Sequence, residues 1–246
     1  MKKDGFYVKE SGKYVFSGKS IPMTDYHNSG SDQVVLLVEG LTGKDVDYQE
    51  HFAAPLAERF NVRTVELPGR GFAFGEKMRA YVEEMTNRTA DDYGVGNIVL
   101  VGNSLGGFVS RQLMEDERIR PDGFYGLCAF PNFRNGGKIR NALSSLAEKL
   151  DFSVLLKPTD CSGISVPSRY CIPGNDEVLS WIRSDCAEAY KEIFEKEGAT
   201  VYPMDDRNHC LNFKRGDLSP FNRDSPVEVV DDLTEFVRGC GNGISH

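Results

Sequence analysis

The chain has no apolar run long enough to cross a bilayer. The longest runs, such as Val34 to Val38, have only the length of a strand. The first 30 residues also lack the apolar core of a secretory signal, because charged side chains such as Asp4, Lys9 and Lys13 are spread through them. We therefore expect no stable membrane insertion and a cytoplasmic location.

Excess positive charge and metal-binding patterns are also missing. The 246 residues carry 29 lysines and arginines against 37 acidic residues, a formal net charge of −8 at pH 7. This balance argues against a nucleic-acid partner. The six cysteines form no C-x-x-C pair and have no histidine at metal-ligand spacing, so neither a metal nor a cofactor is implied. Without a secretory signal they are expected to be buried free thiols, with a Cys161–Cys171 disulfide as the alternative.

The pattern of the chain predicts one α/β domain over residues 1–246, mostly a parallel sheet flanked by helices on both faces. At this length a single domain can bury a large core. An antiparallel hairpin is predicted over residues 5–18, with its turn at Glu10-Ser11-Gly12, and a loop over 19–33. Apolar runs then predict strands at 34–38, 62–66, 98–101, 123–130, 166–172 and 199–202. Helical patterns lie between or after them, at 47–60, 75–93, 107–115, 178–197 and 225–239.

The stretch that carries the clearest chemistry is a G-x-S-x-G pattern centred on Ser104. The apolar residues 98–101 precede it, and the helix-compatible residues 107–115 follow it. A turn this tight needs glycine at Gly102 and Gly106, because a Cβ there would crowd the reversing backbone. The turn lifts the serine hydroxyl clear of the sheet, beside the first free N–H groups of the helix. We interpret it as a nucleophile elbow rather than as a purely structural turn.

A serine nucleophile needs a base to take its proton, and histidine is the side chain best suited to this at neutral pH. The chain has four histidines. His246 is the last residue, His27 precedes the first parallel strand, and His51 lies on an early predicted helix. His209 follows the last predicted strand, at the sheet edge where Ser104 also lies. We therefore predict His209 as the base; the alternative is a loop histidine without a role.

The base in turn needs a carboxylate that fixes its tautomer and stabilises its protonated form. Asp176 follows the strand that ends at Ile172, again at the same edge of the sheet. Position and order along the chain favour Asp176 for this role. Glu177 is the main rival, and the weaker rivals are Asp160, Asp205 and Asp206.

The elbow, the order Ser104, Asp176, His209 and the alternation of strands and helices together resemble the α/β-hydrolase superfamily, from about residue 5 to residue 240. The resemblance implies an oxyanion hole built from backbone N–H groups, and the matching donors here are those of Leu41 and Leu105. This chain has Glu39 where the family commonly has histidine. A carboxylate there would oppose a developing oxyanion unless it is turned away or paired, and Arg70 is the partner that we expect.

The resemblance also assigns residues 131–165 to a small cap inserted in the domain. The cap of the family covers the acyl pocket, so Leu143, Leu146 and Leu150 are expected to line that pocket or to form ordinary packing. The segment Leu67-Pro68-Gly69-Arg70-Gly71 resembles a loop of editing-type thioesterases, which release acyl chains from carrier proteins.

The sequence therefore predicts a serine hydrolase that cleaves a small-molecule carboxylic ester or thioester through an acyl-enzyme. Lactonase, peptidase and C–C hydrolase chemistry use the same three residue types and stay open, because a fold alone does not choose among them. A catalytically silent member used as a binding module is the alternative from a different class. The sequence does not indicate an oligomeric state.

Overall fold

The computed structural model describes residues 7–40, 52–67, 76–93, 97–129, 164–176, 186–207 and 227–241. Eight strands lie in these ranges: β1 Tyr7–Phe16, β2 Lys19–Asn28, β3 Val34–Val38, β4 Asn61–Val65, β5 Ile98–Asn103, β6 Gly123–Leu127, β7 Ser168–Pro173 and β8 Thr200–Met204. They form one sheet in the order β1-β2-β4-β3-β5-β6-β7-β8. Pairing is antiparallel for β1–β2 and β2–β4 and parallel from β4 to β8. The predicted mostly parallel sheet with an antiparallel start is confirmed.

The first two strands form a hairpin, but the predicted position of its turn was wrong. β1 runs without interruption through Glu10-Ser11-Gly12, and the residues predicted as a loop over 19–33 form β2 as far as Asn28. The chain reverses at Ser17 and Gly18, whose φ angles are 48° and 76°. Two successive residues with positive φ make a two-residue turn whose twist matches that of the flanking strands. The polar segment stays extended because β2 pairs with it along its full length.

Five helices lie in the described part of the chain: α1 Ala54–Ala57, α2 Glu76–Tyr93, α3 Leu105–Glu115, α4 Cys186–Lys196 and α5 Val227–Gly241. α2 and α3 match the helices predicted at 75–93 and 107–115. α4 and α5 match the described parts of the last two predicted helices. α1 is shorter than the prediction over 47–60, and Pro55 stands in its first turn, where a proline is tolerated.

Helices cover both faces of the sheet, so the parallel strands are buried throughout. All five residues of β3 are inaccessible to solvent. Val34, Leu36 and Val38 belong to the core under α2, α3 and α4, whereas Val35 and Leu37 belong to the core under α1 and α5. A strand covered on both faces has a continuous apolar run rather than an alternating pattern, as this one does.

Three of the cysteines can be placed in these layers. Cys128, Cys171 and Cys240 are buried free thiols. The alternative of a Cys161–Cys171 disulfide is therefore wrong. Burial raises the pKa of the Cys240 thiol to about 11 and raises that of Cys171 further, so both are protonated at neutral pH.

The parallel part of the sheet brings distant parts of the sequence to one edge. β5 lies between β3 and β6, and β7 and β8 complete that side of the sheet. Because these strands run in the same direction, the residues that follow them emerge from a common edge: Glu39–Gly40, Ser104, Gly174–Asp176 and Asp205–Arg207. This is the edge at which open α/β sheets bind their ligands.

Candidate active site

Ser104 lies between the last residue of β5 and the first residue of α3, in a strained backbone conformation. Its φ is 50° and its ψ is −116°. Hydrogen bonds hold it on both sides: its N–H donates to the Leu127 carbonyl at 2.8 Å, and its carbonyl accepts from the Phe108 N–H at 3.1 Å. Strain of this kind costs on the order of 1–3 kcal/mol and is concentrated at functional sites. Ser104 thus occupies the strand-to-helix turn where the sequence placed it.

Close backbone packing explains the glycines on either side of Ser104. A Cβ at Gly102 would lie 2.3 Å from the α-carbon of Gly107, and a Cβ at Gly106 would lie 2.5 Å from the carbonyl oxygen of Val38. Both obstacles are backbone atoms, which cannot move aside as the end of a flexible side chain can. Any residue other than glycine would therefore displace β5, α3 or the end of β3.

The first amide of α3 and the end of β3 meet at Ser104. Leu105 is the first residue of α3, so its N–H has no acceptor within the helix, and Ser104 makes no side-chain cap there. Gly40 approaches from β3, since a Cβ at this position would lie 3.3 Å from the Cβ of Ser104. Leu41, the second predicted oxyanion donor, follows Gly40 and lies outside the described residues.

Asp176 is buried shortly after the end of β7 at Pro173. Only 2% of its surface is exposed, whereas its rivals Asp205 and Asp206 are exposed; Glu177 and Asp160 lie outside the described residues. Burying a carboxylate is costly unless other groups compensate its charge, so its burial at this edge is typical of a functional role. The burial supports Asp176 over the two exposed rivals.

The structure excludes His27 as a base for Ser104. Tyr26 pairs with Val62 in β4, so His27 lies toward the amino end of the parallel strands, the edge opposite Ser104. Two strands also separate β2 from β5. His51, His209 and His246 lie outside the described residues. The described chain reaches Arg207 after β8, at the edge of the sheet where Ser104 lies.

Glu39 is a buried acidic residue beside the elbow. It is 4% exposed, and its N–H donates to the Val65 carbonyl at 3.0 Å. Burial raises the pKa of the Tyr81 hydroxyl, and the charges of Glu66 and Glu39 raise it further. The Glu39 carboxylate therefore lies within electrostatic range of Tyr81 on α2. Arg70, its predicted partner, lies outside the described residues.

The predicted cap also lies largely outside the described residues, including Leu143, Leu146 and Leu150. None of the helices in the described ranges is long and apolar enough to span a membrane. One residue that sequence reasoning did not single out is Arg207, which is 2% exposed. An arginine within a polar loop sequence carries no signal that it will be buried, because burial there depends on how the loops after β7 and β8 pack.

Comparison with known proteins identifies the fold. The sequence profile of the alpha/beta hydrolase fold family matches residues 33–151. No curated protein matches this chain. Among solved structures, a predicted CIB-like hydrolase from Thermoplasma acidophilum is similar, with a TM-score of 0.63 and 14% identity over 95% of this chain and 99% of that chain.

Two further structures have the same architecture. An esterase from Pyrobaculum calidifontis has a TM-score of 0.66 and 15% identity, covering 95% of this chain and 86% of that chain. A thioesterase domain from the curacin biosynthetic pathway has a TM-score of 0.60 and 13% identity, covering 94% of this chain and 99% of that chain. Identities this low establish the fold rather than a shared substrate. The chain therefore has the α/β-hydrolase fold, and over residues 33–151 its sequence is similar to that family.

Proposed function

We propose that the protein is a serine hydrolase that cleaves a carboxylic ester or thioester through an acyl-enzyme. Ser104 is the nucleophile, His209 the base, and Asp176 the acid that orients the base. The observation that carries the proposal is the conformation of Ser104, with φ 50° and ψ −116° at the turn between β5 and α3. This strained turn exposes a hydroxyl beside the first free amide of a helix, which is the geometry that acyl transfer to serine requires.

The reaction proceeds in two steps, acylation of Ser104 and hydrolysis of the acyl-enzyme. The Ser104 hydroxyl attacks the acyl carbonyl while His209 takes its proton, and the oxyanion accepts hydrogen bonds from the Leu105 and Leu41 amides. Collapse breaks the bond to the alcohol or thiol, which leaves with the proton from His209. Water then attacks the acyl-enzyme while His209 takes its proton; the bond between the acyl carbon and Ser104 Oγ breaks, His209 returns the proton to that oxygen, and the carboxylic acid leaves. No cofactor or metal takes part in these steps.

Two further points support an acyl substrate. The structural neighbours include proteins named as an esterase and a thioesterase domain. The residues 67–71 resemble the loop of editing-type thioesterases, which extends the proposal to thioesters. On this proposal residues 131–165 form a cap within a single domain, and Leu143, Leu146 and Leu150 line the acyl pocket. The substrate is a small molecule, and the protein acts in the cytoplasm.

The test is covalent labelling with a fluorophosphonate probe, which reacts with activated serines. We expect the wild-type protein to be labelled and Ser104→Ala to be unlabelled with unchanged circular dichroism. Loss of the nucleophile should reduce turnover by about 10⁶-fold. Hydrolysis of p-nitrophenyl esters and acyl thioesters of increasing chain length then identifies the preferred acyl group.

Other outcomes identify the alternatives. A folded wild-type protein that neither reacts with the probe nor hydrolyses any substrate would overturn the proposal in favour of a binding module. Labelling at Ser104 without ester or thioester turnover would direct the search to lactones, peptides and C–C bonds. Undiminished labelling of Ser104→Ala would show that another residue is the nucleophile.

A further inference from the structure

Hydrogen bonds join the loop after β7 to the segment after β8. The Gly174 N–H donates to the Met204 carbonyl at 2.8 Å, and the Asn175 N–H donates to the Arg207 carbonyl at 2.9 Å. The Asn175 side-chain amide donates to the Asp205 carbonyl at 3.0 Å. These bonds continue the β7–β8 pairing beyond the last paired residues, Pro173 and Met204. The two connections therefore leave the sheet as one joined unit.

The backbones of the two connections are also in direct contact. A Cβ at Gly174 would lie 2.7 Å from both the α-carbon and the carbonyl oxygen of Asp205. Only glycine permits this approach, because the obstacle is backbone. The separation between the residues that follow, Asp176 on one side and Arg207 on the other, is therefore tightly constrained.

The Arg207 side chain is buried beneath this junction. It is 2% exposed, and its Nη2 lies 3.8 Å from the Glu228 carboxylate in the first turn of α5. Burial raises the pKa of the Cys171 thiol on β7, and the positive charge of Arg207 is one of the smaller effects that lower this pKa. The guanidinium thus lies between the segment after β8 and α5, within electrostatic range of β7.

We infer that Arg207 is a positioning residue of the proposed triad, which fixes the loop carrying Asp176 against the segment carrying His209. Its backbone carbonyl accepts a hydrogen bond from the Asn175 N–H, while its buried side chain lies 3.7 Å from the Asp206 carboxylate and 3.8 Å from that of Glu228 in α5. A guanidinium is suited to this task because it is always charged and can pair with two carboxylates at once, here those of Asp206 and Glu228. This inference rests on the proposed function, because the roles of His209 and Asp176 are those that the proposed function assigns.

Loss of the Arg207 side chain should affect catalysis because a triad works only when its side chains are precisely positioned. Its side chains must be held within about 0.5 Å of their productive positions. A displacement of about 1 Å, even when caused by a change remote from the chemistry, lowers the rate by about 10²-fold. Loss of the Arg207 side chain should therefore lower kcat, while substrate binding at the cap and elbow changes little.

The experiment compares Arg207→Met and Arg207→Lys with a matched control, Arg169→Met. Arg169 also connects β7 to α5, through a 2.6 Å bond to Asp232, but it lies near the start of β7. We expect Arg207→Met to lower kcat by about 30- to 100-fold with KM changed by less than about threefold, and Arg207→Lys to recover part of the loss. Arg169→Met should lower the melting temperature and leave kcat within about threefold. Equal kcat values for Arg207→Met and Arg169→Met would overturn the inference.

A second variant and a second measurement keep the test decisive if Arg207→Met does not fold. Asn175→Ala removes a single exposed hydrogen bond between the two connections and should lower kcat by about 3- to 10-fold. Hydrogen exchange of the Gly174 and Asn175 amides should be faster in both Arg207 variants than in Arg169→Met. Unchanged exchange would refute the role of Arg207 whatever the activity. Failure of the wild-type protein to react with the fluorophosphonate probe would refute the proposed function instead.

Discussion

The α-carbon of Gly40 packs against the side chain of Ser104, close enough that a Cβ at Gly40 would lie 3.3 Å from the Cβ of the serine. This contact joins the end of β3 to the elbow at the end of β5. It sets the distance between the proposed nucleophile and the segment that leads to Leu41. A methyl group at this position would tighten the contact beyond ordinary van der Waals packing.

We therefore expect Gly40→Ala to impair chemistry more than stability. A shift of the serine rotamer or of the oxyanion segment should lower kcat by about 10- to 100-fold. The measurement is the rate of fluorophosphonate labelling together with the melting temperature. Gly12→Ala is the control, because a Cβ at Gly12 meets nothing within 4 Å. Equal labelling rates for the two variants would show that Gly40 does not set the position of Ser104.

The burial of Asp176 leads to a prediction for the triad acid. Asp176→Asn should lower kcat by about 10⁴-fold, as loss of the orienting carboxylate does in other serine hydrolases. The exposed residue Asp205 provides a matched control, and its asparagine variant should retain full activity. The same measurement on Glu177→Gln should show little change. A large loss there with an active Asp176→Asn would make Glu177 the acid.

A buried ionic network links α3 to α4 and β7. The Arg111 side chain is 1% exposed and donates to Glu115 at 2.8 Å and to Glu197 at 2.7 Å. Another of its nitrogens donates to the Tyr170 hydroxyl at 3.4 Å. Burial raises the pKa of Glu115 to about 7. The positive charge of Arg111 lowers this pKa but does not cancel the rise, because the same guanidinium also binds Glu197.

This network predicts a dependence of stability on pH. Since the raised pKa makes folded Glu115 hold its proton more tightly than the unfolded chain does, its contribution to stability is lost as pH rises from about 4.5 to about 7. Glu115→Gln removes the titration. The melting temperature of this variant relative to wild type should therefore be higher at about pH 8 than at about pH 5, by on the order of 5 °C. Glu117→Gln, at an exposed position after the same helix, is the control. A relative melting temperature that does not change with pH would contradict the prediction.

A further prediction concerns Glu39, which stands where the family commonly has histidine. An unpaired carboxylate about 4 Å from the oxyanion would oppose it by about 4 kcal/mol at an effective dielectric near 20. That is roughly a thousandfold in rate, which a working enzyme would not tolerate. We therefore expect Glu39 to be turned away and paired.

On this basis Glu39→Gln should keep most activity and lose stability, because the residue is 4% exposed. Glu39→His, which restores the common residue, should not raise turnover appreciably. Turnover and melting temperature near neutral pH test both variants. A gain of about a hundredfold from either change would show that Glu39 slows the reaction, and would favour the binding-module alternative.

The elbow and the buried parallel strands could be predicted because each depends on residues that are close together in the sequence. The turn at Ser104 requires glycines within two residues of it, and a strand buried on both faces, such as β3, is apolar throughout. The hairpin was misplaced for the opposite reason. Glu10-Ser11-Gly12 resembles a turn, and it stays extended only because β2 pairs with it; Ser17 adopts a φ of 48° that serine rarely favours.

The junction under Arg207 could not be predicted from sequence either. The burial of its guanidinium depends on contact between connections that lie about thirty residues apart, and the local sequence Asp205-Asp206-Arg207 is typical of a solvated loop. Likewise, the contact of Gly40 with Ser104 joins two strands that are separated along the chain by α1, β4 and α2. Such contacts arise from the strand order, which a single sequence does not specify residue by residue.

The position of β8 at the edge of the sheet has a consequence for heat tolerance. The strand beneath Ser104 has neighbours on both sides, whereas β8 is hydrogen-bonded only to β7 in the described sheet. Edge elements open at a lower free-energy cost than central ones. On warming, the segment that leads toward His209 should therefore detach first. Activity should disappear reversibly several degrees below the temperature at which the rest of the protein unfolds, so the operating range is set by the edge strand rather than by the core.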